Sequence, residues 1–136
     1  MTLLLIYLDS NIVIYLVEQP GQFGPRASAR ITALAAAGDR MVVSDLTRLE
    51  CRANPVATGD HVTLAQYDAF FSQAVERVMP LSTAVVDRAT RICGQYRFKT
   101  PDALHLAAAV EAGCQVFLTN DARLSGFPDL TVEPLP

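Results

Sequence analysis

Apolar residues occur in short, nearly unbroken runs separated by longer stretches with apolar positions at threes and fours. Leu3 to Leu8, Met41 to Ser44, Val78 to Leu81 and Gln115 to Thr119 have the length and continuity of strands buried on both faces, and Thr131 to Glu133 could add an edge strand. The intervening stretches have helical periodicity. Ser10 or Asn11 opens a helix to about Val17, and Gln19 to Pro25 reads as a loop. Pro25 then starts an Ala-rich helix to Ala37 that Gly38 stops. Ser44 or Asp45 caps a helix that Asn54-Pro55 breaks. From Asp60 to Arg77, Leu64, Tyr67, Phe70, Phe71, Ala74 and Val78 form an aromatic stripe expected in the core. Ser82 caps a helix to about Tyr96, and Thr100 caps one with Pro101 in its first turn that ends at Gly113.

Strand and helix therefore alternate along the whole chain. That order predicts an α/β protein, a three-layer α/β/α sandwich around a central, mainly parallel sheet, with ligands bound at the carboxyl ends of the strands. At 136 residues and 51% hydrophobic the chain suits one domain spanning 1–136. The run Leu3 to Leu8 is too short to cross a bilayer and no basic leader precedes it, so a soluble cytoplasmic protein is expected.

Four acids stand where an apolar run gives way to a helix start or turn, or one turn into a helix: Asp9, Glu50, Asp102 and Asp121. Two carboxylates about 4 Å apart repel by roughly 4 kcal/mol at an effective dielectric near 20, so a shared pocket would need a cation. Cys51, Cys93 and Cys114 are odd in number, widely spaced and set among apolar residues, which reads as buried thiols. With only His61 and His105 as imidazoles, oxygen ligands and a hard ion, Mg2+ or Mn2+, are indicated. His105 lies three residues after Asp102 in an Ala- and Leu-rich stretch and is read as a core histidine. Asp45, Asp60 and Asp87 are read as caps or solvated first-turn charges.

The formal charge of -3 does not exclude a polyanionic substrate. Setting the four acids aside from 14 leaves ten against 11 basic residues, about +1, and all the basic residues except Lys99 are arginines. Magnesium held by carboxylates keeps water positions open to a phosphate oxygen and an attacking hydroxide, the requirements of phosphodiester hydrolysis.

Tyr7-Leu8-Asp9-Ser10-Asn11-Ile12, Ser44-Asp45-Leu46-Thr47-Arg48-Leu49-Glu50, Thr100-Pro101-Asp102-Ala103-Leu104-His105-Leu106-Ala107 and Leu118-Thr119-Asn120-Asp121 together resemble the PIN domain, over nearly the whole chain. In size and motif order the chain looks most like VapC-type toxins of toxin–antitoxin pairs. The resemblance implies an Mg2+- or Mn2+-dependent endoribonuclease whose catalytic and metal-binding acids match Asp9, Glu50, Asp102 and Asp121, supported by Asn11, Thr119 and Asn120. It also implies an RNA substrate, a homodimer, and silencing in a hetero-oligomer by a VapB-type antitoxin. Arg97, Lys99 and Arg123 flank the motifs and are candidates for RNA backbone contacts. The alternative is a catalytically silent module of the same fold that binds RNA or a partner. A haloacid-dehalogenase-like phosphatase would want a second aspartate at position 11, where Asn11 stands, and a receiver-type phosphoacceptor would want a lysine near the last strands.

Overall fold

The computed structural model describes residues 3–136. Its elements, in chain order, are β1 (Leu5–Leu8), α1 (Ser10–Glu18), α2 (Phe23–Ala36), β2 (Arg40–Ser44), α3 (Asp45–Thr58), α4 (His61–Gln73), β3 (Arg77–Met79), α5 (Thr83–Tyr96), α6 (Thr100–Glu111), β4 (Val116–Thr119), a 3-10 turn (Ala122–Gly126) and β5 (Thr131–Pro134). The strands form one sheet in the order β3-β2-β1-β4-β5, with every pairing parallel. β1 lies at the centre of the sheet, between β2 and β4.

The pleat sends alternate side chains to opposite faces, so each central strand supplies two cores. Tyr7, Val42 and Phe117 pack with Val85, Ala89 and Ile92 of α5 and with Ala103 and Leu106 of α6. Ile6, Leu8, Val43 and Leu118 pack on the other side with Ile12 and Val13 of α1, Leu34 of α2, Cys51 of α3, and Tyr67 and Phe71 of α4. The three-layer arrangement with a parallel sheet is the expected one; of the stripe expected in the core, Tyr67 and Phe71 are buried, Leu64, Phe70 and Val78 are half-buried, and Ala74, past the end of α4, is exposed. Among the described residues no helix is long and apolar enough to cross a membrane.

Several boundaries differ from the sequence reading. β1 begins at Leu5, because Leu3 and Leu4 precede the strand. The cap of α1 is Asp9, whose carboxylate accepts from the Ser10 amide. α2 begins at Phe23, before Pro25; the Phe23 and Gly24 amides turn back to the Pro20 carbonyl. Pro25 then falls in the first turn, where a missing N–H costs no helical bond. Gly24 sits against Gln19, and a Cβ there would lie 2.6 Å from the Gln19 Cα.

α3 does not break at Asn54-Pro55. It continues to Thr58 and ends at Gly59, in the left-handed conformation at φ 69°. Pro55 denies the Cys51 carbonyl its helical donor, but the proline is buried, and the packing around it outweighs the local preference. α4 ends at Gln73, earlier than the aromatic stripe implied, which frees Arg77 to start β3. Lys99 rather than Thr100 occupies the cap position of α6. Of the three cysteines, Cys51 and Cys114 are buried and Cys93 is only partly so.

Candidate functional site

The carboxyl ends of β1 and β4 are adjacent, and the site grows from that junction. The Asp9 amide donates to the Leu118 carbonyl at 3.0 Å, continuing the ladder one residue past β1. Asp9 is thereby fixed by the sheet and by α1 together. Its Oδ1 accepts from the Ser10 amide at 2.8 Å and its Oδ2 from the Thr119 hydroxyl at 2.7 Å, so the buried carboxylate is held on both oxygens. The Thr119 hydroxyl also accepts from the Asp121 amide at 3.0 Å. One buried threonine thus couples the first acid to the turn carrying the last.

Asp121 caps the 3-10 turn by accepting from the Arg123 amide, and the Arg123 guanidinium clamps it in a fork, Nε at 2.9 Å and Nη2 at 2.5 Å. The hydrogen bonds from Arg123 hold its carboxyl below the usual range, with a smaller contribution from the charge of Lys99. Asp102 lies in the first turn of α6. Burial pushes its carboxyl up, and the charges of Asp9 and Asp121 push it further the same way. No hydrogen bond from a described residue relieves it.

Glu50 arrives from α3 on the other flank. Its Oε1 takes hydrogen bonds from the Ser10 hydroxyl at 2.7 Å and from His105 Nε2 at 2.6 Å. The His105 bond is the main cause of a carboxyl held below its ordinary range. The same ring nitrogen lies 3.9 Å from Asp9 Oδ1. Nδ1 of the ring pairs with the Tyr7 hydroxyl at 2.7 Å, which reaches the Ser44 hydroxyl at 2.8 Å.

The four acids therefore gather at one end of the sheet, from four separate elements. The supporting residues divide. Thr119 is in direct contact with Asp9, whereas Asn120 donates to the Tyr15 hydroxyl at 3.0 Å, and among the described residues no hydrogen bond joins Asn11 to an acid. Asp45 pairs with Arg48, Asp60 caps α4 through Thr63, and Asp87 is exposed, so all three stay outside the cluster. Of the three basic candidates, Arg123 is engaged with Asp121, Lys99 is near enough to act on it, and Arg97 is exposed at the end of α5 with φ 59°. His105 is buried as expected for a core histidine, but its ring is bonded to Glu50, an acid that its helical spacing from Asp102 did not point to. The sequence offered Ser10 as a helix cap and Tyr7 as a strand residue beside Asp9, with no role at the acids for either.

Among the described residues no three His, Cys, Asp or Glu side chains converge at metal-binding distance. Glu50 is turned to His105 and Asp121 to Arg123. The donor set nevertheless suits a hard divalent cation. Its acids offer oxygen alone, and Asp102 is a carboxylate made costly by burial and by like charges and served by no hydrogen bond from a described residue. The guanidinium on Asp121 already supplies positive charge at the rim.

The sequence match to the PIN domain extends over residues 6–130, from β1 to the edge of β5. The chain belongs to the PIN-domain family. No curated protein sequence matches it. Solved structures do. The VapBC2 complex of Rickettsia felis bound to a promoter DNA fragment aligns with a TM-score of 0.78 at 15% identity, covering 97% of this chain and 99% of that one. The DNA-bound VapBC complex of Salmonella typhimurium gives 0.77 at 19% identity, covering 98% and 100%. The Mycobacterium tuberculosis toxin VapC20, described as cleaving the sarcin-ricin loop, gives 0.71 at 17% identity, covering 95% and 99%. At these identities the likeness establishes a shared fold.

Proposed function

We propose that this PIN domain is a divalent-metal-dependent endoribonuclease, a toxin of the VapC type held silent by a VapB-type antitoxin. The observation that carries the proposal is the gathering of Asp9, Asp102 and Asp121 at the β1–β4 junction, with Asp102 pushed toward its neutral form by burial and by the other two charges. Such a cluster is costly unless it binds something positive, and the fold supplies it at the strand ends where ligands collect. Mg2+ or Mn2+ bound there would offset the repulsion, orient a phosphate oxygen and lower the pKa of a bound water.

The chain's own residues have separate tasks in this reading. Asp9, locked by Ser10 and Thr119, is the most rigid ligand, and Asp102 is the one left without an internal partner. Glu50 and Asp121 stand on either side and complete the ligand set. Arg97, Lys99 and Arg123 would meet the RNA backbone, steering the strand without reading its bases. The toxin role draws on VapBC complexes in each of which one chain shares the fold across nearly its full length. An antitoxin side chain such as arginine could occupy the acidic pocket, since a guanidinium pairs bidentately with carboxylate. A homodimer also belongs to the proposal.

The test is RNA cleavage by metal-loaded wild type, Asp9→Asn and Asp102→Asn. EDTA should abolish wild-type cleavage, and both variants should be inactive with metal present. Equal cleavage by all three, or cleavage indifferent to EDTA, would remove metal catalysis. Growth arrest on expression, relieved by either substitution and by a co-expressed partner from the adjoining reading frame, supports the toxin role.

A further inference from the structure

Glu50 is the acid least tied down by its own element. It projects from α3 between the exposed residues Leu49 and Ala53, its side chain is 35% exposed, and a glutamate has three free torsions. Its position depends on two donors to a single oxygen, Ser10 Oγ and His105 Nε2. Among the described residues nothing bonds the other oxygen, Oε2.

The histidine is itself fixed at every point. The ring is 2% exposed, and Nδ1 is taken by Tyr7 at 2.7 Å. Tyr7 is fully buried, packs at an angle of 61° to the imidazole, and lies stacked on Phe117 with centroids 5.3 Å apart. Its hydroxyl reaches Ser44 Oγ, and Thr47 Oγ1 lies 3.4 Å away. Ser44 and Thr47 are the pair that opens α3, the Ser44 amide donating to Thr47 Oγ1 at 3.1 Å. The network thus runs from the start of α3, through the sheet and α6, back to a carboxylate on α3. A core needing only volume at these positions could use Phe at 7 and Leu at 105 with no polar groups to satisfy.

We infer that His105, locked by Tyr7, is a positioning residue: it holds Glu50 by Oε1 so that Oε2 remains presented to the same cation as Asp9. The inference rests on the metal-site reading above. Ser10 strengthens it, because the residue next to Asp9 shares the Glu50 oxygen and lies 3.3 Å from Nε2, setting the two acids in register. Ligands fixed by an outer ring of hydrogen bonds commonly lose about 10- to 100-fold in metal affinity or activity when that ring is cut.

The experiment uses Tyr7→Phe, His105→Gln, Glu50→Gln and the His105→Gln/Glu50→Gln double variant, with Asp9→Asn as the reference for a broken site. Mn2+ affinity is measured directly by the loss of free-ion electron paramagnetic resonance, and RNA turnover separately. Proton NMR follows the ring N–H resonance. The short Nε2 contact should give wild type a low-field imidazole proton that is absent in His105→Gln, shifted in Glu50→Gln and perturbed by Mg2+. Mn2+ affinity and kcat should fall about 10- to 100-fold in His105→Gln. Tyr7→Phe, which removes one oxygen and keeps the stacked ring, should lose less in the same direction, with KM for RNA within about twofold of wild type in both. It also tests the idea if His105→Gln does not fold.

In the Glu50→Gln background the second change should add nothing. Full additivity in the double variant, or wild-type Mn2+ affinity and turnover in folded Tyr7→Phe and His105→Gln, would overturn the positioning role alone. A wild type that binds no Mn2+ and cuts no RNA, or an unimpaired Asp9→Asn, would remove the metal site and this inference with it.

Discussion

Replacing Asp102 with asparagine should make the metal-free protein more stable while ending its response to metal. The shape is nearly conserved and the charge is removed, so the effect is electrostatic. Burial and then two like charges, Asp9 and Asp121, act against the Asp102 charge. Two unit charges about 4 Å apart repel by roughly 4 kcal/mol at an effective dielectric near 20 and by about 1 kcal/mol in bulk water, which brackets each pair. Asp102 is only half-buried, so solvent screening puts the relevant value near the lower bound, about 1 kcal/mol from each. The amino terminus of α6 returns about 0.3 to 1 kcal/mol to a carboxylate in its first turn, and the Arg123 charge offsets a further part. The net gain from the substitution is on the order of 1 kcal/mol, or about 3 to 5 °C in Tm for a domain of this size.

Thermal unfolding of EDTA-treated protein, followed by circular dichroism with and without Mg2+, measures both halves of this claim. Wild type at a metal concentration 100 times Kd should gain about 2.7 kcal/mol, and Asp102→Asn almost none. The pH dependence has a definite sign. A carboxyl whose folded-state pKa is raised stabilises the fold in its protonated form, and that contribution is lost as pH rises through the folded value. The advantage of Asp102→Asn over wild type should therefore be large at pH 7 and shrink on acidification toward the unfolded-state range. A metal-free variant no more stable than wild type, or one that keeps the full Mg2+ shift, would show that these charges do not crowd as described.

Thr119→Val should cost about 1.5 to 3 kcal/mol, since it strips a buried carboxylate of a hydrogen bond, and denaturant unfolding would reveal the loss. Gly24→Ala should destabilise by about 1 to 3 kcal/mol in the same assay, because its Cβ meets the Gln19 backbone, which cannot swing aside, as well as the Gln19 side chain. Arg97→Gln, Lys99→Gln and Arg123→Gln should each weaken RNA binding evenly across sequences and reduce the slope of log affinity against log salt by about 0.7. A sequence-dependent loss with an unchanged slope would contradict backbone contact.

The legible parts of this chain were those with a local cause. β1, β2, β4 and α5 stand close to where apolar runs and caps put them, because burial on both faces of a parallel sheet leaves a continuous hydrophobic signature. The failures came where distant packing overrules a local signal. Asn54-Pro55 is a breaker by itself, yet α3 carries the buried proline through to Thr58, and Phe23 begins α2 in a segment whose composition reads as loop. Asp9 and Asp121 could be paired from the sequence because both end strands of one parallel sheet.

The place of Glu50 shows where such reasoning stops. Its neighbourhood is built by Tyr7, 43 positions earlier, and His105, 55 positions later, and although both stand in PIN-like stretches, neither stretch points to Glu50. Helical spacing put His105 near the face of Asp102 but could not say that the ring turns toward α3, a direction set by the Tyr7 hydroxyl and by Phe117 stacked behind it. The parallel sheet therefore does more than collect acids at its edge. By fixing Tyr7 in register with Phe117 of β4, it determines where the imidazole can point, and so which oxygen of Glu50 is held by the ring and which is left without a bond from a described residue.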